Sequence, residues 1–202
     1  MEVVVIRTGT ANIASVLAGL RRAGAEPRVT SDPRDVESAR MAVLPGVGTV
    51  SAAMERIDGA GLAGPLRLRI SAGRPTLCVC LGLQLLARGS EESPDVEALG
   101  LVPGKVTRFS GGVRVPQLGW NRVVPNAGCR LLVPGYAYFA NSYKLDAAPE
   151  GWCAATSEHG GRFVAAMERG TVLACQFHPE LSGAWGLELI RRWLAAGGQA
   201  PC

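Results

Sequence analysis

Apolar, β-branched runs alternate with helix-like segments through the first half of this chain, and this alternation constrains the fold more than any other feature. Glu2–Ile6 is nearly all Val and Ile, as expected of a parallel strand that is buried on both faces. Asn12 is placed to cap a following helix with apolar residues at helical spacing, and Gly24 is placed to end it. Strands that alternate with helices in this way predict an α/β fold.

The next segments continue the same alternation. A polar turn over residues 31–33 follows the second strand, and Pro45-Gly46-Val47-Gly48 ends the third. We predict strands at Pro27–Thr30, Met41–Leu44 and Thr76–Val79, and helices at Val50–Ile57, Leu62–Ala72 and Leu83–Ala87.

From about Gly100 the chain changes to short β-prone segments separated by Gly, Pro and Asn. We predict strands at Val102–Phe109, Val113–Val115, Asn121–Val124, Ala137–Ala140, Trp152–Thr156, Phe163–Met167 and Thr171–Phe177, and a closing amphipathic helix at Gly186–Ala195. The two halves together predict one mixed sheet flanked by helices. The sequence shows no repeat and no low-complexity linker, so we expect a single domain over residues 1–202.

Composition excludes several functions. The net charge of +4 is small and evenly spread, which argues against nucleic-acid and membrane partners. Apolar runs such as Thr171–Cys175 are far shorter than the roughly 18 residues of a membrane span, and the start does not look like a signal peptide. No CxxC pair occurs, and His159 and His178 lack metal-ligand spacing, so we expect reduced thiols, a cytoplasmic location, no metal and no cofactor. The six cysteines are Cys78, Cys80, Cys129, Cys153, Cys175 and Cys202.

The strongest local signal is the segment that joins the strand at Thr76–Val79 to the next helix. An apolar strand leads into Cys80, one further residue, Gly82 and a helix, as in the strand–nucleophile–helix elbow of serine hydrolases. The sharp turn aims the sulfur and the Leu81 N–H at one point, where positive potential favours a thiolate and can stabilise an oxyanion. A buried structural cysteine is the alternative, and the elbow alone does not decide between them.

A cysteine nucleophile needs a base with an orienting partner, and the segment Gln176–Glu180 offers both. Residues two apart in an extended chain project to the same side, and Pro179 holds the residue before it extended. Glu180 can therefore lie beside His178 and select the tautomer whose other nitrogen faces the thiol. A solvent-facing His–Glu pair at a strand end is the alternative.

The Pro-Gly-x-Gly loop at residues 45–48 is the third candidate. Its two glycines let the backbone N–H groups of Val47 and Gly48 face a ligand without obstruction by side chains. Alone it is an ordinary strand-to-helix turn; together with the cysteine elbow it predicts a second wall of an oxyanion hole.

These motifs together resemble the class I (triad) glutamine amidotransferases. The shared features are Cys-Leu-Gly-x-Gln at residues 80–84, His-Pro-Glu at residues 178–180 and the Pro-Gly-x-Gly loop. Within that class the chain is similar from end to end to the glutaminase subunits of imidazole glycerol phosphate synthases, and Gly119–Asn121 and Ser142–Tyr143 separate these from other class I glutaminases. The resemblance implies the three-layer, flavodoxin-like fold of the class, with a central mixed, mostly parallel sheet.

The resemblance also implies a catalytic role for each motif. Cys80 attacks the side-chain amide carbon of glutamine and forms a γ-glutamyl thioester. His178 moves the protons, and Glu180 orients its imidazole. The Leu81 N–H and an N–H of the Val47–Gly48 loop stabilise the tetrahedral oxyanion.

Substrate and partner follow from the same resemblance. Gln84 and Glu92 hold the α-carboxylate and α-amino ends of L-glutamine, with help from the backbone of Ser142 and Tyr143. Water then releases glutamate. The ammonia passes to a cyclase subunit, a TIM barrel that forms a heterodimer with the glutaminase and makes imidazole glycerol phosphate and aminoimidazole carboxamide ribotide in histidine biosynthesis.

Five positions depart from the family pattern. Arg7 stands where the family usually has Asp, Cys78 where it has Gly, Gln117 and Asn141 where it has His, and Leu181 where it has a basic residue. Cys78 is expected on the strand face that carries the nucleophile, where it would crowd the elbow and expose a second thiol to oxidation.

Three functions remain open from the sequence. The departures fit a docking interface that has adapted to a divergent cyclase, and the intact Cys-His-Glu set favours this interpretation. They also fit a catalytically weakened subunit that is kept for binding. Another class I glutaminase, such as the subunit of a pyridoxal phosphate synthase or a γ-glutamyl hydrolase, is the third possibility.

Overall fold

A computed structural model of the chain describes residues 1–9 and 12–199. Thr10, Ala11 and residues 200–202 lie outside this description. The opening segment 7–12 and the predicted domain span 1–202 are therefore described in part, and Cys202 is not described. The helices are α1 Ile13–Arg22, α2 Pro33–Ser38, α3 Val50–Gly59, α4 Ala63–Ser71, α5 Leu81–Gln84 and α6 Gly183–Gln199, with a short 3-10 helix at Pro179–Leu181. The strands are β1 Glu2–Ile6, β2 Glu26–Thr30, β3 Ala42–Gly46, β4 Thr76–Cys80, β5 Gly89–Ser90, β6 Lys105–Arg108, β7 Gln117–Pro125, β8 Gly135–Asn141, β9 Tyr143–Lys144, β10 Cys153–Glu158, β11 Arg162–Arg169 and β12 Val172–Cys175.

A large mixed sheet forms the centre of the molecule. Within the described residues it has nine strands in the order β2-β1-β3-β4-β12-β11-β10-β7-β8. Neighbouring strands pair parallel from β2 to β12 in this order. From β12 to β8 each strand pairs antiparallel with the next. Two clusters of buried apolar residues fill the space between this sheet and the surrounding elements. The predicted α/β fold with a mixed central sheet flanked by helices is confirmed.

Three local predictions are wrong. The polar turn expected at residues 31–33 instead begins helix α2, because Asp32 caps it by accepting from the Arg34 N–H and Pro33 takes its first position. The helix expected at Leu83–Ala87 is a single turn that begins directly after β4. No strand forms at Val113–Val115, which follows two glycines in the left-handed region.

Strand β3 extends further than predicted and passes through Pro45 to Gly46. Its pairing with β1 ends at Val43, so the missing N–H of Pro45 costs no hydrogen bond in that ladder. On the other side β3 stays in register with β4 until Gly46 lies beside Cys80.

The carboxyl ends of β3, β4 and β12 meet at one edge of the sheet. Gly46 lies opposite Cys80, and Cys175 of β12 lies opposite Val79. In open α/β sheets ligands bind outside the carboxyl ends of the strands. This edge therefore collects the loop at residues 46–48, the elbow at Cys80 and the segment that follows β12.

Glycines allow α5 to begin immediately at this edge. A Cβ atom at Gly82 would lie 2.1 Å from the Leu44 carbonyl oxygen, and one at Gly46 would lie 2.9 Å from the Leu81 Cβ. An added Cβ would meet the Leu44 backbone at Gly82 and the Leu81 side chain at Gly46, so the two glycines let the first turn of α5 rest on β3.

We expect Gly82→Ala to lower the free energy of unfolding by about 1–3 kcal/mol, the usual cost of overpacking. Urea unfolding of the purified chain measures this change. Gly64→Ala in α4 is the control, because its added Cβ meets no atom within 4 Å and a helical alanine is favoured over glycine by roughly 0.5–1 kcal/mol. A Gly82→Ala protein as stable as the wild type would contradict the close packing.

Candidate active site

Cys80 holds a strained backbone conformation at the end of β4. Its φ is +55°, and among the described residues it is the only non-glycine residue with a positive φ. Such a conformation costs on the order of 1–3 kcal/mol and is characteristic of functional sites. The elbow predicted from the sequence is thus present, and Leu81 begins helix α5 directly after the cysteine.

The same turn overturns the expectation for Cys78. Cys78 packs in the cluster that contains Leu44 and Leu81, whereas Cys80 packs with Val79 on the opposite side of the sheet. Residues two apart share a face only in a regular strand, and the positive φ at Cys80 breaks that regularity. Cys78 is fully buried and does not line the active-site cavity, so it does not crowd the pocket.

Burial also makes Cys78 a poor target for oxidation. It raises the pKa of Cys78 to about 12, although nearby Arg69 lowers it in part. Oxidation proceeds through the thiolate, which burial disfavours here. The five described cysteines are free thiols.

The pairing of β12 with β4 brings His178 to the elbow. His178 is extended, with φ −99° and ψ 96°, as the following proline predicts. Its N–H donates to the Tyr138 carbonyl oxygen at 3.0 Å, and its own carbonyl accepts from the Ser182 hydroxyl at 2.6 Å. The backbone of His178 is thus held at its N–H and at its carbonyl, and its side chain lines the same cavity as Cys80.

Glu180 contacts His178 as expected, but by a different route. The His178 Nδ1 lies 2.9 Å from the Glu180 Oε1. Pro179–Leu181 forms a 3-10 helix, so the carboxylate returns to the imidazole through a helical turn and not along an extended strand. The extended alternation predicted across residues 178–180 is therefore wrong, although the predicted contact forms.

Helix α1 sets the position of Glu180. A Cβ atom at Gly19 would lie 2.7 Å from the Glu180 Cβ and 3.2 Å from its Cα. The helix can approach the 3-10 turn this closely only at a glycine. The side chain of Glu180 is consequently 3% exposed, and its Oε2 has no hydrogen-bond partner within the described part of the chain.

The electrostatics of the three groups favour a charged imidazole. Burial lowers the pKa of His178, but hydrogen bonds with Cys80 and Glu180 and the charges of both outweigh burial and raise the pKa to about 10. A protonated imidazole beside a thiol favours its thiolate form, which is the nucleophilic form.

A cavity of about 320 Å³ opens above Cys80, which is within the size range of small-ligand sites. It contains every predicted site residue except Glu180, which lies behind His178. The lining residues from the sequence prediction are Val47, Gly48, Cys80, Leu81, Gln84, Glu92, Ser142, Tyr143 and His178. Among the described residues no group of His, Cys, Asp or Glu is placed to hold a metal ion.

Two backbone segments at the cavity can supply oxyanion donors. Leu81 is the first residue of α5, where N–H groups have no partner within the helix. Gly48 has φ +89°, and a Cβ atom added to it would meet no other atom within 4 Å, so its loop has room around it. Both segments face the same cavity as the Cys80 sulfur.

Gln84 is held by two acceptors. Its Nε2 donates to the Tyr143 carbonyl oxygen at 3.2 Å and to the Gln176 Oε1 at 3.0 Å. Both N–H bonds of this amide are therefore used inside the protein, and its oxygen remains for a ligand. Gln84 is thus oriented to accept a hydrogen bond and not to donate one to a carboxylate.

Glu92 is the acidic group in the wall of the cavity. Burial raises the pKa of Glu92, and a hydrogen bond from the Val50 backbone lowers it in part. No ion pair with Glu92 forms within residues 1–9 and 12–199. A half-buried carboxylate without a cation is suited to bind an ammonium group.

The sequence prediction missed Gln176 as a site residue. It is fully buried, accepts from Gln84 and directs its Nε2 at the Cys80 Sγ, 3.9 Å away. A signal for it was present, because Gln176 and His178 are two apart on an extended segment whose middle residue, Phe177, packs in the core.

Two of the departures from the family pattern lie side by side. Gln117 of β7 pairs with Asn141 of β8, and each of these residues is only 5% exposed. Each keeps one oxygen without a hydrogen-bond partner among the described residues. Of the other departures, Arg7 is exposed at the end of β1 and Leu181 is 42% exposed beside Glu180.

Comparison with known proteins identifies the family of this chain. The profile of the family Glutamine amidotransferase class-I matches residues 4–195. Imidazole glycerol phosphate synthase subunit HisH of Xylella fastidiosa is 42% identical over 96% of this chain and 96% of that protein. The subunit HisH of Escherichia coli (strain K12) is 40% identical over 96% of this chain and 99% of its own length.

Solved structures share the fold at lower identity. A glutamine amidotransferase crystal structure has a TM-score of 0.77 at 21% identity and covers 96% of this chain and 98% of its own. A glutamine amidotransferase from Thermotoga maritima has a TM-score of 0.60 at 17% identity, over 97% of this chain and 81% of its own. These likenesses support the fold.

The chain belongs to the class I glutamine amidotransferases. This confirms the resemblance seen in the elbow, the His-Pro-Glu segment and the Pro-Gly-x-Gly loop. Within the class, it belongs to the HisH subunits of imidazole glycerol phosphate synthase. None of the helices in the described residues is long and apolar enough to cross a membrane.

The His178–Glu180 contact predicts a pH-dependent contribution to stability. The pKa of His178 in the folded protein lies above its ordinary 6.5, so the contact stabilises fully below about pH 6.5 and less as the pH rises toward 10. We expect Glu180→Gln to make the free energy of unfolding fall less steeply across this interval, as measured by urea unfolding at several pH values. Glu188→Gln on the exposed side of α6 is the control and should keep the wild-type slope. Equal slopes for Glu180→Gln and wild type would contradict the contact.

Proposed function

We propose that this protein hydrolyses L-glutamine to glutamate and ammonia with Cys80 as the nucleophile, as the glutaminase subunit of an imidazole glycerol phosphate synthase. The observation that carries the proposal is that Cys80 and His178 line one cavity, while Glu180 contacts the imidazole of His178 from behind. Membership among the HisH subunits supports this function over the pyridoxal phosphate synthase type.

The reaction begins with the thiolate of Cys80, whose proton resides on His178. The sulfur attacks the side-chain amide carbon, and N–H groups of Leu81 and of the Val47–Gly48 loop stabilise the oxyanion. His178 then protonates the leaving nitrogen, so that ammonia departs and a γ-glutamyl thioester remains. Water, deprotonated by His178, hydrolyses the thioester to glutamate and restores the thiol.

The cavity also supplies contacts for the rest of glutamine. Glu92 accepts hydrogen bonds from the α-ammonium, with backbone groups of Ser142 and Tyr143 beside it. Gln84 lines the same wall, and its amide oxygen accepts from an N–H of the substrate. This places Gln84 at the amino end of glutamine or at its carboxamide, and replaces the contact with the α-carboxylate expected from the family.

An apolar face beside the cavity is the proposed docking surface for the cyclase subunit. Leu118, Trp120 and Tyr136 on the outer side of β7 and β8 are each more than half exposed. Ala140, which pairs with Leu118, also lines the cavity, so this face borders the site where ammonia forms. Contiguous exposed apolar side chains mark protein-interaction sites.

The cyclase then receives the ammonia without its release to solvent and makes imidazole glycerol phosphate and aminoimidazole carboxamide ribotide. The two subunits form a cytoplasmic heterodimer, in which residues 1–202 act as one glutaminase domain. Because free hydrolysis would waste glutamine, glutamate release should be slow for the subunit alone and fast in the complex with a ligand on the cyclase.

Labelling with a diazoketone analogue of glutamine tests the nucleophile. In the complex with the cyclase we expect one label per chain, located on the Cys80 peptide by mass spectrometry. Cys80→Ala should abolish both the label and glutamate release, whereas Cys153→Ala, which removes a partly exposed thiol outside the cavity, should retain both. A fully labelled Cys80→Ala protein, or an unlabelled wild type, would overturn the proposed function.

Charge on the apolar face tests the docking surface. We expect Trp120→Glu to weaken assembly with the cyclase at least about tenfold, because burying a charge in an apolar interface is costly, and to remove the stimulation of glutamate release. Titration of one subunit with the other, followed by light scattering, measures assembly. Leu68→Glu on α4 is the control, since Leu68 is similarly exposed but lies outside this face. Equal effects of the two substitutions on assembly would contradict the assignment of this face as the docking surface.

A further inference from the structure

Gln176 is a buried polar side chain beside the nucleophile that the catalytic scheme leaves without a role. It has no exposed surface, and its amide makes contacts at both ends. The oxygen accepts from Gln84 Nε2 at 3.0 Å, and the nitrogen lies 3.9 Å from the Cys80 Sγ. Buried amides are satisfied by partners, and these partners are the nucleophile and a wall of the substrate cavity.

The end of β12 explains how this amide reaches the sulfur. Gln176 and His178 lie two apart on an extended segment and project to the same side, toward the elbow. Phe177 between them projects the other way and packs edge-to-face on Phe139 and Trp185. The Gln176 N–H also donates to the Ala165 carbonyl oxygen at 2.8 Å, which ties this segment to β11. One rigid segment therefore presents two groups to the same sulfur.

We propose that Gln176 is a positioning residue of the glutaminase reaction, which holds the Cys80 sulfur by an N–H···S contact and at the same time fixes Gln84 as a hydrogen-bond acceptor toward glutamine. This inference rests on the proposed function of Cys80. It adds a second donor to the thiolate, besides His178, and links the nucleophile to substrate recognition through one amide.

The direction of each hydrogen bond follows from the donor nitrogen and the acceptor oxygen of a side-chain amide. Gln176 donates with its nitrogen toward the sulfur, so its oxygen must be the atom that faces Gln84. Gln84 must then donate with its nitrogen, and its own oxygen turns to a ligand. Glutamine offers N–H donors at its carboxamide, whereas the side-chain carboxylate of glutamate offers none. With Gln84 at the carboxamide of the substrate, the orientation imposed by Gln176 therefore favours glutamine over glutamate.

The fraction of Cys80 in the thiolate form should depend on this contact. A hydrogen bond to a charged acceptor stabilises that charge, so its loss leaves less thiolate at a given pH. A carboxylate in the same place would repel the thiolate and reduce it further. A residue that only filled space would leave the fraction of thiolate unchanged when replaced by an uncharged side chain of similar volume.

The experiment measures alkylation of Cys80 by iodoacetamide from pH 5 to pH 10 on the full chain, with the Cys80 peptide quantified by mass spectrometry. We expect Gln176→Leu to move the midpoint of alkylation upward by about one pH unit, which is tenfold less thiolate below the midpoint. Gln176→Glu, which keeps the size of the side chain, should move it further upward. Gln84→Leu is the comparator, because it removes the substrate contact without removing the N–H···S donor and should keep the wild-type midpoint.

Steady-state glutamate release by the complex with the cyclase gives the second readout. Gln176→Leu and Gln176→Glu should lower kcat about tenfold or more and raise KM, whereas Gln84→Leu should mainly raise KM. Midpoints of alkylation for both Gln176 variants equal to that of the wild type would overturn the inference. If Gln176→Leu does not fold, Gln176→Met, an uncharged and unbranched side chain of similar volume, decides the question in its place. A wild-type Cys80 that the glutamine diazoketone fails to label would instead overturn the proposed function, which keeps the two failures distinct.

Discussion

The parallel pairing of β12 with β4 is the constraint on which the site depends. It places Cys175, the last residue of β12, beside Val79, although the two are far apart in the sequence. The chain leaving β12 then has only a short distance to travel before the imidazole of His178 meets Cys80. Without this register the nucleophile and its base would lie on separate parts of the edge.

Close backbone packing and strain act together at that edge. Gly46 and Gly82 allow β3, β4 and α5 to approach within distances that no Cβ permits, and Gly19 allows α1 to press on Glu180. The left-handed turn at Cys80 is tolerated because these contacts over-determine it. The Cys80 sulfur therefore projects out of the strand, and the hydrogen-bond donors around it are held in fixed positions.

Several parts of this arrangement could be predicted from residues alone. The elbow, the His-Pro-Glu segment and the Pro-Gly-x-Gly loop carry their chemistry in short motifs, and the cavity contains nearly all the residues that they imply. The sequence could not predict that Cys78 and Cys80 lie on opposite faces of the sheet, because this depends on the sign of φ at Cys80. The length of α5 could not either, since apolar spacing does not reveal where a helix in the core must stop.

The sequence by itself determined the class of fold and the identity of the reactive groups, because strand and helix periodicity and short motifs are local properties. Tertiary structure alone decided which groups touch. The role of Gln176 and the orientation of the Gln84 amide arise from distances of 3.0 and 3.9 Å between residues more than ninety positions apart. Contacts of that kind depend on strand order and register, which no local pattern specifies.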